Sequence, residues 1–265
     1  MDRKFEGITS PKNKDTKIWR YMDFSKFVWM LENEALFFAN FKNFDDPWEG
    51  RLPYDNVIEM CKLFRQMDTK LSEEEALKRA KDHVQKLNEV IHGAGNYYIS
   101  CWHMNKVESV AMWRLYSDPQ LSKGIAIQST YKRLKECLDK HEENENMVIG
   151  KVKYTSLIKW IHELAIYRPF IHKRESFEYE KELRAIIFRR HNKDKSISKN
   201  NSENKKLELE DGFQVSVSLK DMINNIYISP KANNEFEKLV KDVLKKYSME
   251  DINVIHSDLY NINTY

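Results

Sequence analysis

The stretch "SFEYEKELRAIIF", Ser176 to Phe188, places two acids, Glu180 and Glu182, at the threshold of an apolar run. That run is too short for a helix and is bounded by charge, so it predicts a buried strand. In this extended segment Glu180 and Glu182 point the same way, about 7 Å apart along the chain. Two negative charges facing one cleft raise at least one pKa unless a cation or a charged substrate compensates. Lys181 and Arg184 offer the plainer alternative, a salt-bridged strand edge.

Upstream of this strand the chain opens as β-α-β. Ile18 to Met22 is a short apolar strand, Asp23 or Ser25 can cap a helix whose Phe27, Val28 and Leu31 share a face, and "ALFFANF" returns as a strand. "NFDDPWEG" is a turn, because Pro47 fixes the backbone and Asp45 or Asp46 can accept its amide bonds. From about 53 to 92 the rhythm is helical, with Ser72 and the acids after it marking a helix start, which predicts a helical insertion. "NYYISCWH", "KGIAIQST" and "ENMVIGKVKYTS" read as strands, "ESVAMWRLYS" as a short helix and "LIKWIHELAIYRPFIHK" as a helix ending near Pro169.

Beyond "ELRAIIFRR", the polar segment at about 191–206 predicts a mobile loop between strands. "FQVSVSL" and "NIYISP" then read as strands, "NNEFEKLVKDVLKKY" as an amphipathic helix and "INVIHSDL" as a last strand. This mixed order predicts one α+β domain over residues 1–265, built on mixed, mainly antiparallel sheet rather than a doubly wound parallel one.

Composition narrows the function classes. Hydrophobic residues at 41% with charged residues at 32% describe a folded chain with a well-solvated surface. A net charge of +3 is too small by itself to imply nucleic-acid binding. The three cysteines, Cys61, Cys101 and Cys137, fit neither a disulfide framework nor a metal spacing and suit a reducing compartment. The N-terminus has no apolar signal core and no run of about 18 apolar residues occurs, so a cytoplasmic location with no membrane partner is expected. Gly-rich phosphate loops, His-Glu-x-x-His runs and Gly-x-Ser-x-Gly elbows are absent.

What remains is a set of polar and aromatic residues at strand ends: Arg20 beside Tyr21, the turn Asp45-Asp46-Pro47-Trp48-Glu49, Ser100, Trp113 with Tyr116, and Glu180, Glu182 and Arg184. Each has an ordinary structural reading. Arg20 can pair with a local acid, Ser100 can be a plain strand serine, and Trp113 and Tyr116, three apart on a helix, can be core. Asp45, Asp46 and Glu49 can hold a divalent cation or simply cap their turn. His103, His162 and His172 lie on separate elements.

Taken in order, "WRYMDF", "ALFFANFKNFDDPWEG", "YYISCWH", "VAMWRLYSD", "KGIAI", "VKYTS" and "FEYEKELRAIIF" resemble a bacterial family catalogued only as domain of unknown function two-nine-seven-one. The match runs from about Lys17 to Leu259 through short pieces whose order carries the specificity. More distantly, Arg20, Ser100 and Glu180-x-Glu182 follow the order of an ADP-ribosyltransferase site: a basic residue on the first strand, a serine on a central strand, and a Glu-x-Glu running into a later strand.

That resemblance implies an ADP-ribosyltransferase-like fold and an NAD-consuming transferase or glycohydrolase, of the kind bacteria use as toxins or in antiviral defence. Glu182 would stabilise the positive charge that develops on the ribose, and Glu180 would orient or deprotonate the acceptor. Arg20 would hold the pyrophosphate and Ser100 would position the other groups. Tyr21, Trp113, Tyr116 and Arg184 would contact the cofactor, which is NAD itself as substrate, with a protein or nucleic acid as acceptor. Ser100-Cys101-Trp102 departs from the Ser-Thr-Ser of the arginine-specific enzymes. Two other readings stand beside it: a nucleotide- or ligand-binding module without chemistry, and a magnesium-dependent nuclease using Asp45, Asp46, Glu49 and Glu182.

Overall fold

The computed structural model describes residues 7–52, 54–94, 97–141, 147–155, 168–189, 208–209 and 211–260. The helix expected over 157–167, the loop expected over 191–206 and His162 lie outside them. The chain opens with β1 (Lys17–Asp23), α1 (Phe24–Asn33) and β2 (Ala35–Asn40). Asp23 caps α1 by accepting the Lys26 N–H at 2.9 Å, and Glu34, at φ 44°, ends it in the left-handed region. Between β2 and the next strand come α2 (Asp55–Met67) and α3 (Glu73–Ala94), which pack on each other through Val57, Cys61, Ala76, Ala80 and Val84. Ser72 and Glu75 form a reciprocal capping box at the start of α3: the Glu75 N–H donates to Ser72 Oγ at 3.2 Å and the Ser72 N–H donates to Glu75 at 3.1 Å.

The remaining elements are β3 (Tyr97–Met104), α4 (Val110–Tyr116), β4 (Gly124–Thr130), α5 (Tyr131–Asp139), β5 (Met147–Lys151), β6 (Lys153–Thr155), β7 (His172–Arg174), β8 (Glu182–Phe188), β9 (Glu208–Leu209), β10 (Gly212–Ser216), α6 (Leu219–Met222), β11 (Asn225–Ile228), α7 (Asn234–Lys246) and β12 (Asn253–His256). The molecule is thus α+β with a mainly antiparallel sheet.

Strand β3 is the trunk of a 10-stranded sheet. Along one edge it pairs with β8 from Tyr97↔Phe188 to His103↔Glu182, and β5 follows beyond β8. Its other edge forks. β1 takes the end at His103 and Met104 and continues into β4, β11 and β12, whereas β2 takes the end at Tyr98 and Ile99 and continues into β10 and β9. Among the described residues, β11 and β12 are the parallel pair of this sheet, and β6 and β7 form a separate parallel pair.

Period-two alternation gives the sheet two faces with different contents. On one, Ile18, Met22, Tyr98, Trp102, Ile127, Leu183, Ala185 and Ile187 pack with Phe27 and Leu31 of α1, Leu134 of α5 and Val240 of α7 in the main core. The opposite face carries two smaller clusters. Tyr97, Ile99 and Ile186 meet Phe41, Phe170 and Ile171, while Trp19, Tyr21 and Ala126 meet Met112 and Trp113 of α4. Between these two clusters runs a row that apolar patterning would not predict: Cys101 and His103 on β3 opposite Arg184 and Glu182 on β8.

Candidate functional site

Glu180 is not part of the strand. Residues Glu175–Glu180 wind as a 3-10 helix, and Lys181, at φ 42° and ψ 51°, turns the chain through the left-handed region before β8 begins at Glu182. The two acids therefore do not share a side by strand alternation, as an extended reading of the stretch expects. They meet by another route. Lys173, on β7, reaches Glu180 Oε2 at 2.7 Å and Glu182 Oε1 at 3.0 Å. Two backbone contacts fix this corner. His103 donates from Nδ1 to the Glu180 carbonyl at 2.6 Å, and the Tyr154 hydroxyl accepts the Glu182 N–H at 2.8 Å. A carbonyl oxygen can only accept, so the His103 proton sits on Nδ1.

Arg184 grips Glu182 with two donors, Nε to Oε2 at 2.7 Å and Nη2 to Oε1 at 3.0 Å. Its Nη2 also reaches Glu49 Oε1 at 3.0 Å, and its Nη1 donates to the Phe170 carbonyl at 2.8 Å. Lys173 completes the set at 3.0 Å from Glu49 Oε1. Arg184 is 1% exposed, and all five side chains are buried. Glu49 Oε2 has no hydrogen-bond partner among the described residues. The faces of Phe44 and Phe177 cover the two cations, with Arg184 Cζ 5.5 Å and Lys173 Nζ 4.5 Å from the respective ring centroids.

Charge counting explains how this cluster titrates. Among the described residues, Glu49, Glu180 and Glu182 pair with Lys173 and Arg184, so full ionisation leaves three negative charges against two positive ones in a buried space. One proton removes the excess. Burial, followed by hydrogen bonding with Glu182, raises Glu180 to about 7. For Glu182 burial also opposes the charge, but Arg184 and then Lys173 outweigh it and hold the carboxyl well below the usual range. The surrounding groups stay neutral for a common reason: burial pushes the Cys101 thiol and the Tyr116 and Tyr154 phenols up and the His103 imidazole down.

The sheet separates the residues that the sequence order brings together. Arg20 and Ser100 do meet, Arg20 Nη1 donating to Ser100 Oγ at 3.1 Å, and Arg20 Nη2 also donates to the Phe37 carbonyl at 2.9 Å. They lie on the main-core face, in the fork between β1 and β2, whereas Glu182 lies on the other face. Strand parity dictates this. Ser100 pairs with Ala185, and the Cys101, His103, Glu182 and Arg184 side chains alternate to the opposite side. Convergence of Arg20 and Ser100 with Glu182 on one pocket is therefore corrected: the arginine bridges a gap in the sheet, and burial lowers it to about 10 without discharging it at neutral pH.

Tyr21 and Trp113 are on the Glu182 face but are packed rather than presented. Tyr21 accepts the Ser109 N–H at 2.9 Å and meets Trp113 edge-on at 5.0 Å, and Trp113, 0% exposed, donates its indole N–H to Glu108. Tyr116, 47% exposed, is the aromatic of this group left available to a ligand, and its phenol feels the charges of Glu180 and Glu182. Asp46 is engaged by Arg174 at 3.0 Å and Glu49 by Lys173 and Arg184, while Asp45 is exposed. No group of three or more His, Cys, Asp or Glu side chains among the described residues is arranged to hold a metal ion. The sequence order missed Lys173 and Tyr154. A lysine in "FIHKRE" gives no signal that it will be buried, and only the β6–β7 pairing, Tyr154↔Lys173, brings both to the corner.

A cleft of about 530 Å³, lined by Met104, Tyr154, Glu178, Tyr179 and Lys181, opens beside this corner. Glu180 lies between two of its lining residues in the chain, and Tyr154 joins the cleft to the backbone of Glu182. No protein-family model, curated protein or solved structure matches the chain. No helix among the described residues is long and apolar enough to cross a membrane.

Proposed function

We propose that the Glu180–Glu182 corner is the active site of an NAD-consuming ADP-ribosyltransferase or NAD glycohydrolase, with Glu182 as the fixed negative charge and Glu180 as the proton carrier. The observation that supports this reading is the divergence of two adjacent carboxyls, one raised to about 7 and the other held ionised. Pairs driven apart in this way supply a proton carrier and a fixed negative charge at the same pH. Cleavage of a ribosyl bond needs both, a carboxylate near the developing oxocarbenium and a group that moves a proton to or from the leaving or attacking atom.

Both Glu182 oxygens are occupied by Arg184 and Lys173, so its charge is fixed and acts through the cluster. Glu180, bound through Oε2 to Lys173, is the group that exchanges a proton near neutrality. Tyr116 and Tyr179, both about half exposed, supply flat surfaces for the nicotinamide or the adenine. The test is nicotinamide release from NAD by the purified chain. Glu180→Gln is expected to reduce release by a factor of about 100 or more. Release that is undiminished in this variant refutes the assignment.

The saturation of Glu182 favours a second reading, a ligand-binding module in which the ionic cluster only holds the corner in shape. On that reading NAD or a related nucleotide binds beside Tyr154 and Tyr179 without turnover. Tyr179→Ala then weakens binding, while no nicotinamide appears with the unaltered chain.

A further inference from the structure

A second concavity, about 640 Å³, shares no lining residue with the cleft at Tyr154 and Tyr179 and lies between the turn after β2 and the helical pair. Val57, Val84 and Leu52 form an apolar floor, Trp48 and Tyr54 stand at its rim 48% and 58% exposed, and Arg51 and Lys81 bring cationic ends to it. Neither Arg51 nor Lys81 has an ion-pair partner among the described residues. The one carboxylate in the lining, Glu89, is already bonded by the Gln85 amide at 2.9 Å.

The site is built rather than incidental. The Asn88 carboxamide clasps Leu52 at both backbone groups, accepting its N–H at 2.8 Å and donating to its carbonyl at 3.2 Å, so the loop is fixed to α3. Lys81, Val84, Gln85 and Asn88 stand at the i, i+3, i+4, i+7 spacing and form one stripe of α3. The turn itself has two sides. Asp46 and Glu49 are buried against Arg174, Lys173 and Arg184, which forces Trp48 between them outward. Gly50, at φ +72°, makes this possible, because a Cβ there would lie 2.9 Å from Phe170 and 3.0 Å from Phe41.

We propose that this cleft binds a free mononucleotide, its base against Trp48 or Tyr54 and its phosphate held by Arg51 and Lys81. Exposed aromatic rings beside unpaired cations and an apolar floor suit a ligand that joins a flat ring to an anion, and neither half alone satisfies the lining. The Gln85 carboxamide donates to Glu89 through Nε2, and its Oε1 with the remaining carboxylate oxygen offers hydrogen-bonding edge groups for a base. This site is independent of the chemistry assigned to Glu180.

Calorimetric titration of the full chain with AMP tests it. Saturable one-to-one binding is expected, weakened about tenfold or more in Trp48→Ala and in the double variant Arg51→Gln/Lys81→Gln, with adenosine and inorganic phosphate each binding far more weakly than AMP. All three altered side chains are solvent-facing, so these variants are expected to fold, and matching thermal unfolding of each variant verifies it. Absence of saturable AMP binding, unchanged affinity in those variants, or equal binding of adenosine or phosphate alone overturns the proposal. So does loss of AMP binding in Tyr179→Ala but not in Trp48→Ala, which would place the nucleotide at the other cleft. Affinity that climbs with oligonucleotide length would assign the surface to nucleic acid instead, and this too overturns it. Nicotinamide release is read separately, so either proposal can fail while the other stands.

Discussion

Replacing Glu180 with Gln removes the one carboxyl of the cluster that titrates near neutrality while keeping its size. Glu180 is raised from an ordinary 4.5 to about 7, chiefly by burial. The sign follows from proton binding. A group whose folded pKa is raised contributes stability that is fully present below its unfolded pKa and is lost as pH rises through the folded pKa. The window is therefore pH 4.5 to 7, and a shift of this size corresponds to roughly 3 kcal/mol at 1.36 kcal/mol per unit. Urea unfolding of both proteins from pH 4.5 to 8 reads it out. The stability of Glu180→Gln relative to the unaltered chain is expected to rise across the window by about 3 kcal/mol, because in the unaltered chain Glu180 ionises on unfolding in this window while the folded group keeps its proton. Below that window both proteins should lose stability together as Glu182 takes up a proton, since its folded pKa is depressed and its contribution disappears as pH falls. Two curves that stay parallel to within about 0.5 kcal/mol from pH 4.5 to 8 would refute the charge count behind the site.

Other perturbations separate the elements of the argument. Arg184→Met strands Glu182, Glu49 and the Phe170 carbonyl without their shared donor, and chemical denaturation should show a loss of about 3–5 kcal/mol. Lys173→Met removes a cation from the same set, so a carboxyl carbon-13 titration should find Glu180 higher still; a fall would contradict the geometry. Arg20→Met unbridges the fork and should cost about 1–3 kcal/mol, yet leave the Glu180 titration unmoved because the sheet lies between them. Gly50→Ala combines a left-handed backbone with contact on Phe170 and Phe41, and thermal unfolding should register a loss of about 1–3 kcal/mol.

Strand positions were legible because alternation and apolar runs are local signals. "YYISCWH", "GIAIQS" and "ELRAIIF" all fall on sheet strands at or near the expected places. The helical stretch before β3 was legible too, through its cap at Ser72 and its three- and four-residue rhythm. Helix α5 was not read from the sequence, since it follows β4 directly and Thr130 is the mark of its start in a charged segment. Strand pairing was not legible, and it decides the site. Arg20 and Ser100 share a face because β1 and β3 pair at Ile18↔Met104, and Ser100 points away from Glu182 because β3 and β8 pair at Ser100↔Ala185. A shift of one residue in either register would exchange the faces, and which strands pair at all is set by contacts far apart in the chain. The left-handed residue Lys181 was hidden for a similar reason: a lysine is an uncommon occupant of that region, so the sequence suggested an unbroken strand from Glu180.

Why the chain carries this many charges under a sheet can be argued from their number. Glu182 and Glu49 with Lys173 and Arg184 already form a balanced set, two acids against two bases. If the cluster served only as a staple, that set would suffice, and an apolar set of similar volume would often hold a fold as well. Glu180 is the odd member. Its addition brings no further cation, leaves the set one proton short of neutrality, and on a purely structural account lowers stability at neutral pH. A residue that weakens the fold at its working pH is explained more naturally by what its proton does than by what its charge holds. Arg184 and Lys173 keep Glu182 ionised, the strand and the Tyr154 contact hold its backbone in place, and against that fixed charge a neighbouring carboxyl gains and loses a proton near pH 7. Glu180→Gln should therefore leave a protein at least as stable as the original at pH 8 while lowering the nicotinamide release proposed for this corner. A variant that was both less stable at pH 8 and fully active would reverse this assignment of structure to the other four side chains and function to the fifth.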